Sequence, residues 1–214
     1  MLSKISLAAT AALVQAGDTG YWKSKAVYQV LTDRFAQDNS GGGACGNLSN
    51  YCGGTWKGIE NNLDYIKGMG FDAIWISPVV DNLDGGYHGY WARNWDAVNS
   101  HFGSADDLKA LVKACHDKGI AVMVDVVANH SAPVGDDFGQ ISPLNKAEHY
   151  HSDCGIDDWG NQWQVENCRL ADLPDVNQEN DWVRSYLKGW IHDLVSTYDF
   201  DGIRIDTIPE VPKD

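Results

Sequence analysis

The chain has 214 residues, enough for one domain with a sizeable core, and 30 acidic against 16 basic side chains give it a formal net charge of −14. That balance argues against nucleic acid as a partner, because phosphate binding needs clustered Lys and Arg, and no apolar run reaches the roughly 20 residues of a membrane span. Nine Trp and nine Tyr are many for this length; taken singly most belong to a core, but a surplus of aromatics often serves flat ligands.

The first segment does not belong to the fold. MLSKISLAATAALVQA carries one lysine, a short apolar run and small residues around Val14-Gln15-Ala16, the pattern of a secretory signal peptide over residues 1–16. The chain is therefore expected to be secreted and extracellular, where cysteines are read as disulfides.

AVYQVLTDRF, residues 26–35, reads as a strand, and 36–58 as a Gly-rich loop in which Cys45 and Cys52 flank a polar stretch. IENNLDYIKGMG, 59–70, has Ile59, Leu63 and Ile66 at helical spacing with glycines closing it. FDAIWISPVV, 71–80, is a buried strand. A helix is expected over 103–119, with Ser104 as N-cap, acids in the first turn and a closing glycine. IAVMVDVVANH, 120–130, is another buried strand. Residues 131–180 show little periodicity, and a loop that long is uncommon unless it is functional. It reads as an inserted subdomain, with Cys154 and Cys168 flanking a segment rich in Asp and Trp. An amphipathic helix follows over 181–198, and FDGIRIDT closes the series.

Each local cysteine pair, Cys45 with Cys52 and Cys154 with Cys168, is placed to staple an irregular segment that lacks its own core, a contribution of about 2–4 kcal/mol. Cys115 lies on a helical pattern with Leu108, Leu111 and Val112 and reads as a buried free thiol.

Apolar strands alternating with helices predict parallel βαβ units in an α/β fold. A doubly wound sheet and a (β/α)8 TIM barrel both fit. The barrel is favoured because no glycine-rich phosphate fingerprint follows the first strand, and because polar and aromatic residues recur at strand ends. These are Asp33 and Arg34, Tyr87 to Trp91, Asn129 and His130, and Arg204 and Asp206. A barrel builds its active site from the C-terminal ends of several strands. It needs eight strands, and four are readable here, so the sequence looks like the N-terminal half of one.

In GIRIDT, side chains alternate faces, so Ile203 and Ile205 share one face and Arg204 and Asp206 the other. Two charges at the end of an apolar strand either form a structural ion pair or look into a solvated mouth. An adjacent arginine favours the ionised carboxylate, which suits a nucleophile or an electrostatic stabiliser.

DVVANH (125–130), LPDVN (173–177) and GIRIDT (202–207) stand in the order and spacing of the α-amylase family of glycoside hydrolases, and YHGYW (87–91) and CGGTWKGIENNLDYIKGMGFDAIWISPV (52–79) resemble its secreted fungal members. The resemblance covers nearly the whole chain after residue 16. It implies a retaining endo-hydrolase of α-1,4-glucosidic bonds, acting on starch-like polysaccharide, calcium-dependent, and monomeric when complete. Asp206 matches the nucleophile and Arg204 the arginine that orients it. His88 and His130 match histidines that bind sugar hydroxyls, and Tyr90 an aromatic that stacks on the same sugar, with Trp91 beside it. Asn129 and Asp175 match side-chain ligands of Ca²⁺, and Glu166 a backbone-carbonyl ligand. These are hard oxygen donors of the kind Ca²⁺ takes. The resulting division is signal peptide 1–16, barrel strands 1–3 in 17–130, an inserted calcium-binding subdomain 131–180, and barrel helix 3 with strand 4 in 181–214. Two sequons occur, at Asn129 and Asn47; a buried ligand is a poor acceptor, so Asn47 is the better glycosylation candidate.

One departure stands out. Where the fungal pattern reads Thr-Val-Lys-His after the nucleophile strand, this chain has Thr207-Ile208-Pro209-Glu210. Glu210 keeps a carbonyl for calcium, but the Lys and His side chains that contact sugar on the leaving-group side are gone. The balance between hydrolysis and glucan transfer is thereby opened, and a 4-α-glucanotransferase is the alternative. A retaining glycosidase also needs an acid/base carboxyl about 5–5.5 Å from the nucleophile, which in this family lies on a later strand. The 214 residues alone are therefore expected to be inactive on starch and poorly soluble, and a non-catalytic glucan- and calcium-binding remnant is the third reading.

Overall fold

The computed structural model describes residues 19–38 and 45–213; the segment expected to be a signal peptide, 1–16, lies outside the described residues. The elements are α1 (Thr19–Lys23), β1 (Val27–Val30), α2 (Thr32–Phe35), α3 (Trp56–Asn61), α4 (Leu63–Gly68), β2 (Ala73–Ile76), β3 (Val80–Asn82), β4 (Ala92–Val98), α5 (Ala105–Asp117), β5 (Ala121–Val126), α6 (Gln162–Asn167), α7 (Asp181–Tyr198) and β6 (Gly202–Ile205). β1, β2, β5 and β6 form one parallel sheet in that order. Neighbours follow chain order with no reversal, as in a barrel; a doubly wound sheet reverses at its switch point. The described chain is thus a partial (β/α) barrel.

The register explains both faces of the sheet. Val30, Ile76, Val124 and Ile203 are partners in one row and pack under the helices. Ile59, Leu63 and Ile66 from α3 and α4, Leu108, Leu111 and Val112 from α5, and Leu187, Trp190 and Leu194 from α7 close over that row. Gln29, Trp75 and Met123 form the next row on the opposite face, where they are less covered.

Three expected elements differ. The strand expected over 26–35 stops at Val30, and Thr32–Phe35 turns into a short helix. The cause is Asp33, 2% exposed, whose carboxylate accepts the backbone N–H groups of Cys52 and Gly53 and so pulls the chain toward the disulfide loop. The helix expected over 59–70 is two helices broken at Asn62, whose side chain donates to the Gly58 carbonyl, the local competition that makes Asn a helix interrupter. An antiparallel hairpin of β3 and β4 was not anticipated. Elsewhere the expected elements form. α5 carries a capping box between Ser104 and Asp107, α7 spans the whole of 181–198, and Asn180 caps it by accepting from the Trp182 and Val183 N–H groups.

Cys45–Cys52 and Cys154–Cys168 are disulfides and Cys115 is free and buried, as read from the sequence. Within 131–180 the backbone forms short 3₁₀ turns and α6. Around them, Tyr150 stacks on Phe138 at 4.2 Å, and buried Arg169 pairs with Asp136 (2.5 Å) and Asp153 (3.3 Å). Arg169 thereby ties the stretch after β5 to the disulfide loop.

Candidate active site

Asp125 of β5 and Arg204 of β6 are register partners on parallel strands, so they leave the sheet on the same face at the same height. Arg204 Nη1 donates to both Asp125 oxygens (3.0 and 3.1 Å) and to Asp206 Oδ1 (2.5 Å). One guanidinium nitrogen thus bridges two carboxylates. Asp206 is fixed at its backbone too, its N–H donating to the Val126 carbonyl at 3.0 Å. The next residue, Thr207, has φ +49°, a conformation that a β-branched side chain rarely adopts. Strain of that kind collects at functional sites.

Asp125 was not singled out in the sequence, although it opens DVVANH. Its side chain is fully buried, and it also accepts from Tyr90 Oη (2.7 Å) and Trp75 Nε1 (3.1 Å). Burial raises its carboxyl above the ordinary range, against the lowering effect of the bonds from Tyr90, Arg204 and Trp75. The signal was available: Asp125 interrupts an apolar strand at the same parity as Met123, just as Arg204 interrupts its own.

His88, Tyr90 and Trp91 sit in the loop between β3 and β4. His88 Nδ1 accepts the Tyr90 N–H at 3.0 Å, and its ring lies nearly parallel to that of Tyr90 and edge-on to Trp91. Burial, then the charge of Arg34, lower the His88 imidazole below its usual value. The Tyr90 hydroxyl is pushed far up by burial and by its bond to Asp125, so it stays a donor. His130 is 2% exposed, and its Nε2 has no hydrogen-bond partner among the described residues. A cleft of about 270 Å³ opens here, lined by Trp75, Tyr87, His88, Tyr90 and Asp125. A larger groove of about 400 Å³ between β4 and α7 contains none of these residues. Of the other polar residues at strand ends, Asp33 and Arg34 pair at 2.7 Å. Arg34 also donates to the Leu48 and Asn50 carbonyls and lies over the Tyr87 ring, so its role is to hold the loop.

The stretch after β5 pairs with LPDVN. Val176 N–H donates to the Asn129 carbonyl (2.7 Å) and Ser131 N–H to the Pro174 carbonyl (3.1 Å). This brings Asp175 to Asn129, both essentially buried. The end of the Asn129 amide lies 3.2 Å from Asp175 Oδ1 and 3.2 Å from the Glu210 carbonyl. Turned with its nitrogen that way, the amide donates to both; turned with its oxygen that way, three oxygens converge on one buried point, an arrangement that a hard cation satisfies. Burial raises the Asp175 carboxyl to about 6, while the bond from His151 Nδ1 (2.6 Å) opposes the rise. Glu166 lies on α6, which packs against the 208–210 turn; its carboxylate accepts from Gln162. Asn129, Asp175 and the Glu210 carbonyl are the residues that could hold a calcium ion, with the Asn129 amide in the second of these orientations.

The model of the alpha-amylase catalytic domain matches residues 29–214. The chain belongs to the α-amylase family. Among curated relatives of this α-amylase-family chain, Alpha-amylase 1 of Lipomyces kononenkoae is 44% identical over 98% of the chain and 36% of its own length. An alpha-amylase of Saccharomycopsis fibuligera is 41% identical over 90% and 42%. Among solved structures, an alpha-amylase from Malbranchea cinnamomea superposes with a TM-score of 0.85 at 42% identity, covering 90% of this chain and 44% of that one. The alpha-amylase from Geobacillus thermoleovorans, solved with acarbose, gives 0.82 at 40% identity, covering 90% and 42%. The chain spans about two fifths of the length of these relatives.

Proposed function

We propose that the protein carrying these residues is a secreted, retaining endo-hydrolase of α-1,4-glucosidic bonds in starch-like glucans, with Asp206 as its nucleophile. The observation that supports this reading is the bridge Asp125–Arg204–Asp206 at the strand ends. The buried carboxylate of Asp125 lines the cleft and anchors Arg204, and Arg204 fixes the second carboxylate, that of Asp206. A nucleophile must be held in line with the anomeric carbon, and a guanidinium shared between two carboxylates does so without a flexible partner.

In the chemistry, Asp206 attacks the anomeric carbon and the glycosidic oxygen departs with a proton from an acid/base carboxyl. Water then hydrolyses the glycosyl-enzyme with net retention. By the family pattern, that acid/base residue stands on a later strand. His88 and His130 bind sugar hydroxyls, and the Tyr90 ring, whose hydroxyl is tied to Asp125, stacks on the sugar. With Nδ1 accepting the Tyr90 N–H, neutral His88 carries its proton on Nε2 and donates it to a sugar hydroxyl. The unpartnered Nε2 of buried His130 is suited to a substrate hydroxyl. Calcium, when bound by Asn129, Asp175, the Glu210 carbonyl and the Glu166 carbonyl, supplies the charge that locks the end of β5 to the 131–180 stretch, a structural role; that stretch is read as an inserted calcium-binding subdomain. Asn47 is the proposed glycosylation site and residues 1–16 the signal peptide.

A 4-α-glucanotransferase is the second reading. It is supported by Pro209-Glu210 and by a structural neighbour described as a cyclomaltodextrin glucanotransferase, 33% identical with a TM-score of 0.79. The experiment is full-length protein on soluble starch, with the first products followed by NMR. α-Anomeric oligosaccharides with steadily rising reducing ends are expected; β-anomers sink the retaining mechanism, and transfer products without new reducing ends favour the transferase.

A further inference from the structure

Glu210 is an unusual residue to find inside a protein. It is 6% exposed, and its Oε2 is buried with no hydrogen-bond partner among the described residues. A carboxylate in that state is costly unless a positive group reaches it. Lysine or arginine does not supply one: no ion pair to Glu210 occurs among the described residues, whereas the buried carboxylates Asp33 and Asp125 each have an arginine. Its backbone carbonyl stands 3.2 Å from the Asn129 amide, which at 0% exposure faces the Asp175 carboxylate at the same distance. Glu210 thus presents its carbonyl to the Asn129 amide and carries, on the same residue, a buried carboxylate oxygen with no donor among the described residues.

We propose that Glu210 gives its side-chain carboxylate, as well as its carbonyl, to the cation held at Asn129 and Asp175. This rests on the calcium reading above and goes beyond the carbonyl ligand that the resemblance implies. A residue that contributes only a carbonyl leaves its side chain free to serve sugar; here the side chain is turned inward, and the site gains a second charged oxygen ligand. The number of charged ligands tunes affinity for Ca²⁺, so this chain should hold calcium more tightly than one with a neutral side chain at this position.

The test uses full-length protein, stripped with EDTA and titrated with CaCl₂ by calorimetry, for wild type, Glu210→Gln, Glu210→His and Glu210→Asp. Gln and His keep the backbone carbonyl and remove the charge. Both are expected to weaken the calcium Kd by roughly tenfold or more, and Asp, which retains the charge, is expected to bind more tightly than either. Thermal melts check folding and give an independent readout of opposite sign. In EDTA, Glu210→Gln should melt above wild type because no buried charge is left unpaired, and in calcium the gain should shrink or reverse. Binding by Glu210→Gln and Glu210→His within threefold of wild type overturns the proposal. A wild type that binds no calcium overturns instead the reading on which it rests.

Discussion

Asp125 lines the cleft, is 1% exposed, and accepts from three side chains, those of Trp75, Tyr90 and Arg204. Asp125→Asn removes the charge that faces Arg204. The expected cost is about 3 kcal/mol, at the lower end for a broken buried pair because the Arg204 side chain is 32% exposed. A urea midpoint measures it; a change under 1 kcal/mol refutes the bridge as described. Activity should fall further than folding explains, because Arg204 then swings toward Asp206 alone. His88 gives a pH signature. Its folded-state value lies below the ordinary 6.5, so the unfolded chain takes up the proton first. Its stabilising contribution is complete above 6.5 and is lost as pH falls through 6.5 toward the lowered value. Denaturation midpoints at pH 7.5 and 5.5 should therefore separate less in His88→Gln than in wild type; an equal separation removes His88 from the acid limb.

At the scale of elements, what the sequence made legible and what it hid divide by the range of the interactions. α7 was legible over its full length because its helical periodicity and apolar stripe are local; the Asn180 cap, local as well, was not read. The parallel strands were legible as apolar runs, but their ends were not. β1 terminates because Asp33 accepts N–H groups from residues 19 and 20 positions away in the chain. The β3–β4 hairpin was missed because β3 is only three residues long and the register shifts twice, so the period-2 pattern never builds up across the pair. Asp206, Arg204 and Asn129 were legible through motifs that resemble a family. Asp125 lay inside one of those motifs but was overlooked, since its importance comes from three partners on other elements. Gly58 illustrates the same contrast. On helix propensity alone, Gly58→Ala in α3 should stabilise by about 1 kcal/mol. A Cβ there meets the Ala36 carbonyl oxygen at 2.0 Å, so we expect destabilisation instead, read as a drop in melting temperature. Ser104→Ala, which removes the capping box of α5, should cost about 1 kcal/mol in the same measurement.

For the molecule as a whole, two disulfides hold irregular segments, and the calcium ion proposed above would join the end of β5 to the 131–180 stretch. Cys115 contributes packing only: burial pushes its thiol up to about 12, so the native protein should resist iodoacetamide at pH 8 and take up one label per chain when unfolded without reductant. A second label contradicts the disulfide assignment. The central claim is that Asp206 becomes covalently attached to sugar, and trapping the intermediate tests it most directly. Full-length protein is incubated with a fluorinated α-glucosyl fluoride, which forms the glycosyl-enzyme quickly and releases it slowly, and the labelled peptide is mapped by mass spectrometry. The expected result is one glycosyl group on the peptide containing residues 202–207, attached to Asp206, absent from Asp206→Asn, whose turnover on starch should fall by roughly 10⁴-fold or more. A label on any other carboxylate, or full turnover of starch by Asp206→Asn, contradicts it.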